Sequence, residues 1–378
     1  MKPRHMYVHV PFCARRCTYC DFAIAVRRVV PIEAYLAALD AELRMRWAGD
    51  ALTLDTLYFG GGTPSRLGGD GVARAIDQVR RVATLAPGAE VTIEANPEDV
   101  SAEAVRAWRG AGVNRVSLGV QSFDDHALTW MHRVHDASRA ERAVGELRAG
   151  GIENFSIDLI FALPDELASR SWERDLDRAI ALAPPHVSLY GLTVEAHTPL
   201  GKSLAVGGVT EAGEDRYERD FLAAHEAMTA AGLEHYEVSN FGRPGRHSRH
   251  NSAYWRSVPY AGLGPGAHEL RIDDDRMVRR WNDDVYVRWA QSLASGHDPK
   301  AGDEELTDAN RIAEEVYLGL RTSEGLPIRD DERDRIDAWV DAGWGTLDAS
   351  PGLVFRPTAL GWLRLDSLAA DLTAFRSR

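Results

Sequence analysis

The 378-residue sequence predicts an α/β fold on a parallel sheet, with a small helical unit at its C-terminal end. Three observations predict it. Short β-rich runs alternate repeatedly with amphipathic helical stretches, which implies parallel strands joined by crossover helices. Polar residues able to do chemistry gather where those runs end, as at the active face of a parallel barrel. From about residue 304 the alternation gives way to helical patterns.

The candidate strands are 5–10, 56–60, 90–94, 115–120, 154–160 and 186–193. Helical patterns lie near 31–47, 70–84, 101–111, 136–149 and 170–182. Pro31 suits the first turn of a helix, and Ser101 can cap one. Gly110, Gly112 and the pair Gly150-Gly151 fall where helices should stop. A helix near 213–231 and a strand at 235–239 follow. Residues 240–268, rich in Gly, His, Arg and Pro, read as an ordered loop system. Leu306 to Leu320 and 332–342 are helical, and 345–365 reads as a short ribbon leading to a final helix. The chain thus divides into a strand–helix unit at 1–240, a loop-rich extension at 241–303 and a helical unit at 304–378.

Composition narrows the function. The formal charge is −13, with 44 basic against 57 acidic residues, which argues against a nucleic-acid binder that must displace counterions. The N-terminal residues run straight into a strand without an apolar leader, and no stretch approaches the length of a membrane span. Reduced thiols without an export signal predict a cytoplasmic protein, with room for a peripheral membrane contact.

The only three cysteines stand together in Cys13-Ala-Arg-Arg-Cys17-Thr-Tyr-Cys20. Three thiolates on one loop can hold three corners of a [4Fe–4S] cubane and leave the fourth iron open to a small molecule. Zinc is the alternative, with His9 as a further ligand. An odd cysteine count in a large chain argues against a disulfide framework.

The C-x3-C-x2-C spacing resembles the radical S-adenosylmethionine (SAM) superfamily. The flanks Tyr7-Val-His9-Val-Pro-Phe-Cys13 and Tyr19-Cys20-Asp21-Phe22 resemble the branch containing oxygen-independent coproporphyrinogen III oxidase and the HemW haem chaperones. The resemblance implies a partial (β/α)6 radical SAM barrel with a small winged-helix-like C-terminal domain. It also implies a [4Fe–4S] cluster on Cys13, Cys17 and Cys20, SAM on the open iron, and an electron donor such as flavodoxin or ferredoxin. Residues 330–341 hold six acidic residues and two arginines, so the winged-helix-like unit is not read as a DNA reader.

SAM requires polar groups for its amino acid and ribose. The glycine run 60–62 permits close backbone approach to a ligand, and the resemblance assigns Gly61, Gly62 and Thr63 to the methionyl amino group. It assigns Glu94 to the amino-acid moiety; otherwise Glu94 reads as a surface carboxylate. Gln121, in Leu118-Gly-Val-Gln-Ser-Phe123, matches the family segment and is expected at the ribose. Arg133 is the best partner for the SAM carboxylate, because guanidinium pairs with carboxylate bidentately. Asp158 lies in an apolar strand, where an acid is costly unless satisfied, and the ribose hydroxyls could satisfy it. Tyr7 and Tyr19 flank the cluster loop and either line the pocket or pack in the core.

Two features separate chaperone from oxidase. The oxidase branch usually carries a fourth cysteine where this chain has Phe22. Arg249-His250-Asn251-Ser-Ala-Tyr254-Trp255 resembles the H-N-x-x-Y-W segment linked to haem in HemW proteins. His250 is the expected axial ligand, with Asn251, Tyr254 and Trp255 around the porphyrin; His247 and His268 are secondary candidates. Ordinary loop hydrogen bonding by His250 and Asn251, and burial by Tyr254 and Trp255, is the plain alternative. The function implied is a cluster- and SAM-binding chaperone that binds haem and passes it to a recipient apoprotein. The alternatives are oxidative decarboxylation of coproporphyrinogen III and radical SAM chemistry on another substrate.

Overall fold

A computed structural model describes residues 2–49, 51–167, 169–274, 276–349 and 352–378. Six parallel strands lie side by side in chain order: β1 (His5–Val10), β2 (Leu52–Gly61), β3 (Ala83–Ala95), β4 (Arg115–Gln121), β5 (Phe155–Phe161) and β6 (His186–Gly191). Between them run α1 (Ile32–Trp47), α2 (Gly68–Arg80), α3 (Ala102–Ala111), α4 (Ala137–Ala149) and α5 (Trp172–Ala181). β5 is buried along nearly its whole length, which explains its apolar run, where Asp158 is the one charged residue.

The helix ends follow the expected chemistry. Ser101 Oγ accepts the amide of Ala104, and Gly112 closes α3 at φ 103°. Gly151, after α4, has φ 79°. The least legible boundary was between α2 and β3. The helix ends at Arg80, and the strand begins at Ala83, not at 90. Residues 83–85 pair with 52–54 and residues 90–93 with 56–59, and a register shift absorbs Pro87 and Gly88 between the two runs. Pairing overrides the helical pattern there.

The sheet continues past both edges to twelve strands among the described residues. After α6 (Glu214–Ala230), antiparallel β7 (Glu234–Glu237) and β8 (Asn240–Gly242) extend it beside β6. On the other side β9 (Tyr260–Leu263) lies parallel to β1, followed by the hairpin β10 (His268–Asp273) and β11 (Arg276–Asn282) and then β12 (Lys300–Glu305). Residues 240–268, expected as loops, therefore also contain α7 (Arg249–Trp255), capped by Ser248 Oγ on the amide of Asn251. Tyr-Ala-Gly-Leu is too short and weakly patterned to read as a strand; its place beside β1 makes it one.

A buried carboxylate ties this extension to α1. Glu42 accepts from the amide of Gly264 (2.9 Å), Asn282 Nδ2 (2.6 Å) and Trp289 Nε1 (3.0 Å). Arg46 pairs with Glu42 and also with Glu269. Trp289 belongs to α8 (Tyr286–Ala294) and shares one apolar core with Tyr35, Leu36 and Leu263. The expected boundary at 240 thus falls inside a paired sheet and ahead of residues that complete the core. The C-terminal unit has its own core of Val316, Leu320, Trp339, Phe355, Leu368 and Leu372. It is built from α9 (Asp308–Leu320), α10 (Arg333–Asp341), a three-stranded antiparallel sheet and α11 (Leu365–Arg376), a winged-helix-like set of elements.

Candidate functional site at the ends of the parallel strands

The cysteine loop leaves the end of β1. Phe12–Cys13 pairs with Ala25–Val26, so a two-rung ladder closes the loop at its base. Cys13 is buried, and its Sγ lies 3.5 Å from Thr63 Oγ1. Arg133 Nη1 reaches Cys17 Sγ at 3.6 Å. Burial pushes the Cys13 thiol up and the Cys20 thiol to about 11, a cost that ligation to a metal removes by deprotonating the thiol. Among the described residues no three His, Cys, Asp or Glu groups converge on a single ion position. His9 is committed elsewhere: Nδ1 meets the Tyr7 hydroxyl at 3.1 Å and Nε2 meets the Ala23 carbonyl at 2.8 Å. Zinc therefore loses the further ligand it needed. A cubane takes its three thiolates on three different irons and asks for no such convergence.

All three cysteines border one cavity of about 420 Å³. Tyr19, Gly61, Gly62, Thr63, Glu94, Gln121, Arg133 and Asp158 also line it. Tyr7 does not; it faces a second cavity described below. The sequence reading therefore brought eight of its nine SAM candidates to one place.

The residues are held there by specific bonds. Arg133 Nη2 donates to Asn96 Oδ1 (2.5 Å) and to the Gly119 carbonyl (2.8 Å). Burial opposes its charge, but Tyr19, Cys17 and Glu98 hold its pKa above the usual arginine value. Its Nε is buried without a partner, an orphaned donor that an anionic group could satisfy. Glu94 accepts from Tyr58 Oη (2.8 Å) and the Gly61 amide (3.0 Å). Burial raises its carboxyl to about 7 against those two bonds, so it is not the surface carboxylate of the plain reading. Gln121 sits at φ 70°, where β4 shifts register against β5. Left-handed backbone in a non-glycine residue at a cavity wall is a strain that marks functional positions. Asp158 is satisfied within the protein, accepting from Ser117 Oγ (2.7 Å) and Ser156 Oγ (2.8 Å), which explains how an acid survives in an apolar strand. Burial still raises its pKa.

The glycine run also has a packing role. A Cβ on Gly61 would lie 2.6 Å from the His9 ring, and one on Gly62 would lie 2.6 Å from the Pro11 carbonyl and 3.1 Å from Cys13 Sγ. The missing side chains make room for β1 and the cysteine loop at least as much as for a ligand. Gly62→Ala should therefore lower the iron and sulfide content of reconstituted protein, since overpacking costs about 1–3 kcal/mol. Gly110→Ala, with open space at its Cβ, serves as the control. Equal cluster content in both variants would show that the close packing is dispensable.

The second cavity, of about 1070 Å³, lies between the strand ends, the hairpin β10–β11 and the C-terminal helices α9 and α11. Phe22, Gly61 and Glu94 border both cavities. Tyr254 and Trp255, two of the four residues expected around a porphyrin, line the larger one. His250 and Asn251 do not. His250 is 1 % exposed, with Nδ1 at 2.7 Å from Thr56 Oγ1 and Nε2 at 2.8 Å from Tyr254 Oη. Its ring stacks on Tyr58 at 4.9 Å. Burial lowers its pKa to about 3. Both nitrogens are spent inside the fold, so the imidazole expected on iron instead holds Tyr254 in the cavity wall. The Asn251 backbone N–H donates to Ser248 Oγ as part of the helix cap. Sequence reasoning missed Tyr58, Asn96 and Ser117, which position Glu94, Arg133 and Asp158. Asn96 alone had a signal, following directly on the end of β3.

Comparison with known proteins gives the family. The model of the radical SAM superfamily matches residues 7–173. A relative from Mycobacterium tuberculosis named "Heme chaperone HemW" is 39% identical over 349 residues, covering 90% of this chain and 88% of its own length. The protein of that name from Synechocystis sp. is 35% identical, covering 86% and 80%, and that from Escherichia coli is 38% identical, covering 74% and 73%. Among solved structures, coproporphyrinogen III oxidase (HemN) from Escherichia coli superposes with a TM-score of 0.80 at 21% identity, covering 99% of this chain and 91% of its own. That likeness shows the fold, and the identities show the branch: the chain belongs to the radical SAM superfamily, within its HemW family.

Proposed function

We propose that this protein is a haem chaperone that carries a [4Fe–4S] cluster and SAM, binds haem and passes it to recipient apoproteins. Superfamily membership implies the cluster and SAM. Cys13, Cys17 and Cys20 hold the cluster; Gly61, Gly62, Thr63, Glu94 and Arg133 take the amino-acid part of SAM, and Gln121 and Asp158 its ribose. The observation that carries the haem step is the cavity of about 1070 Å³ beside the cluster cavity, faced by Tyr254 and Trp255. It lies just above the range of about 300–1,000 Å³ usual for a bound organic ligand, as suits a large one. The names of the HemW relatives support the same reading.

The reading extends to partners. A flavodoxin- or ferredoxin-like donor supplies the electron that the cluster needs. Three free thiols suit a reducing, cytoplasmic setting. Among the described residues no helix is long and apolar enough to cross a membrane, and a peripheral contact would serve delivery to a membrane recipient. Fold likeness to coproporphyrinogen III oxidase keeps oxidative decarboxylation as the competing reading. Phe22, 63 % exposed, occupies the place of that branch's extra cysteine and counts against it.

The two readings part under strict anaerobiosis. Haemin added to reconstituted protein should give a saturable Soret shift at about one equivalent per chain. Coproporphyrinogen III with SAM and a reductant should give no multiple-turnover formation of protoporphyrinogen. Turnover without a Soret shift would replace the chaperone with the oxidase.

A further inference from the structure

His268 stands on β10 at the wall of the larger cavity, and its ring stacks on Trp281 at 5.9 Å. Its ring nitrogens make no hydrogen bond among the described residues, unlike both nitrogens of His9 and of His250. Partial burial, with Arg279 adding to it against a smaller pull from Glu304, lowers its pKa and so favours the neutral imidazole. A neutral imidazole with a free nitrogen is what haem iron takes as an axial ligand.

Of the other ring donors on this wall, Tyr317 Oη accepts from Arg321, and burial raises the Tyr260 phenol above its usual range. Tyr7 Oη meets His9, and Tyr254 Oη meets His250. Burial drives both phenols well above their usual range, so neither offers a phenolate. α11 contributes Ala369, Ala370, Thr373 and Ala374 to the lining. Residues so spaced share one helix face, and their small side chains leave a shallow wall against which a planar ring can lie.

We propose that His268, in place of His250, supplies the imidazole that ligates the iron of haem seated in this cavity. The proposal rests on the haem-chaperone reading, deepens it by naming the ligand, and gives His250 the task of fixing Tyr254. It commits to no change in the oxidation state of the iron.

The test is a haemin titration of the full-length reconstituted protein, followed by absorption and electron paramagnetic resonance of the ferric complex. Wild type, His268→Ala, His268→Gln and His250→Gln are compared at matched cluster content. Both His268 variants should lose the imidazole signature and bind haemin about tenfold or more weakly, roughly the loss of one strong contact. Added free imidazole should restore the signature to His268→Ala. His250→Gln should keep the wild-type signature while melting at a lower temperature. A wild-type spectrum in folded His268→Gln, or loss of the signature only in His250→Gln, would overturn the assignment. A wild type with no Soret shift would instead overturn the haem-chaperone reading itself.

Discussion

Replacing Cys13, Cys17 or Cys20 singly by alanine is expected to abolish the [4Fe–4S] electron paramagnetic resonance signal of the reduced protein. The sequence has no other thiol to take the vacant corner. Each cysteine also has a distinct setting: Cys13 is buried against Thr63, Cys17 faces Arg133, and Cys20 closes the turn back to the Cys17 carbonyl. The loop is anchored independently by the 12–13 and 25–26 ladder, so far-ultraviolet circular dichroism of the apoprotein should be unchanged. That comparison separates a lost ligand from a lost fold. A normal signal in all three variants would refute the assignment.

Arg133→Ala and Asp158→Ala should weaken SAM by about tenfold to a hundredfold. Losing a hydrogen bond to a charged group costs on the order of 1.5–3 kcal/mol. Arg133 has a second duty, because its guanidinium bridges Asn96, the Gly119 carbonyl and Cys17. Its removal should therefore reduce cluster occupancy as well, and affinities must be compared per cluster. Asp158 touches no cysteine; its bonds run to Ser117 and Ser156. Asp158→Ala should keep full cluster content while losing SAM affinity in calorimetry. Unchanged affinity in both variants would remove this cavity as the SAM site.

Much of this was readable without coordinates, for physical reasons. Strand–helix alternation and its glycine stops are local signals, and α3 shows both the Ser101 cap and the Gly112 stop. The residues of the smaller cavity were legible because parallel strands deliver their C-terminal ends to one face, which places Glu94 and Gln121 together from sequences far apart. What stayed hidden depended on pairing at a distance. Nothing in Tyr260–Leu263 announces that it sits beside β1. His250 looked available because a sequence does not show Thr56 and Tyr254 converging on its two nitrogens. The glycines at 61 and 62 were read toward a ligand, and the sequence does not show that His9 and Pro11 also close their Cβ positions.

The place of β1 in the sheet bears on how the protein is made. This strand leaves the ribosome ahead of the other strands of its sheet, carrying the cysteine loop at its end, yet one of its two neighbours is β9. Glu42 likewise waits for Gly264, 222 residues downstream, and for Trp289, 247 residues downstream. Until those residues are synthesised, the nascent chain holds an open strand edge next to the cysteine loop, and Glu42 has only Arg46 of its folded partners. Contacts so distant in sequence form slowly, and exposed edges invite aggregation. Chains released short of residue 289 should accordingly be recovered as insoluble, iron-free material, and expression yield should respond to temperature and chaperone supply more than to iron feeding.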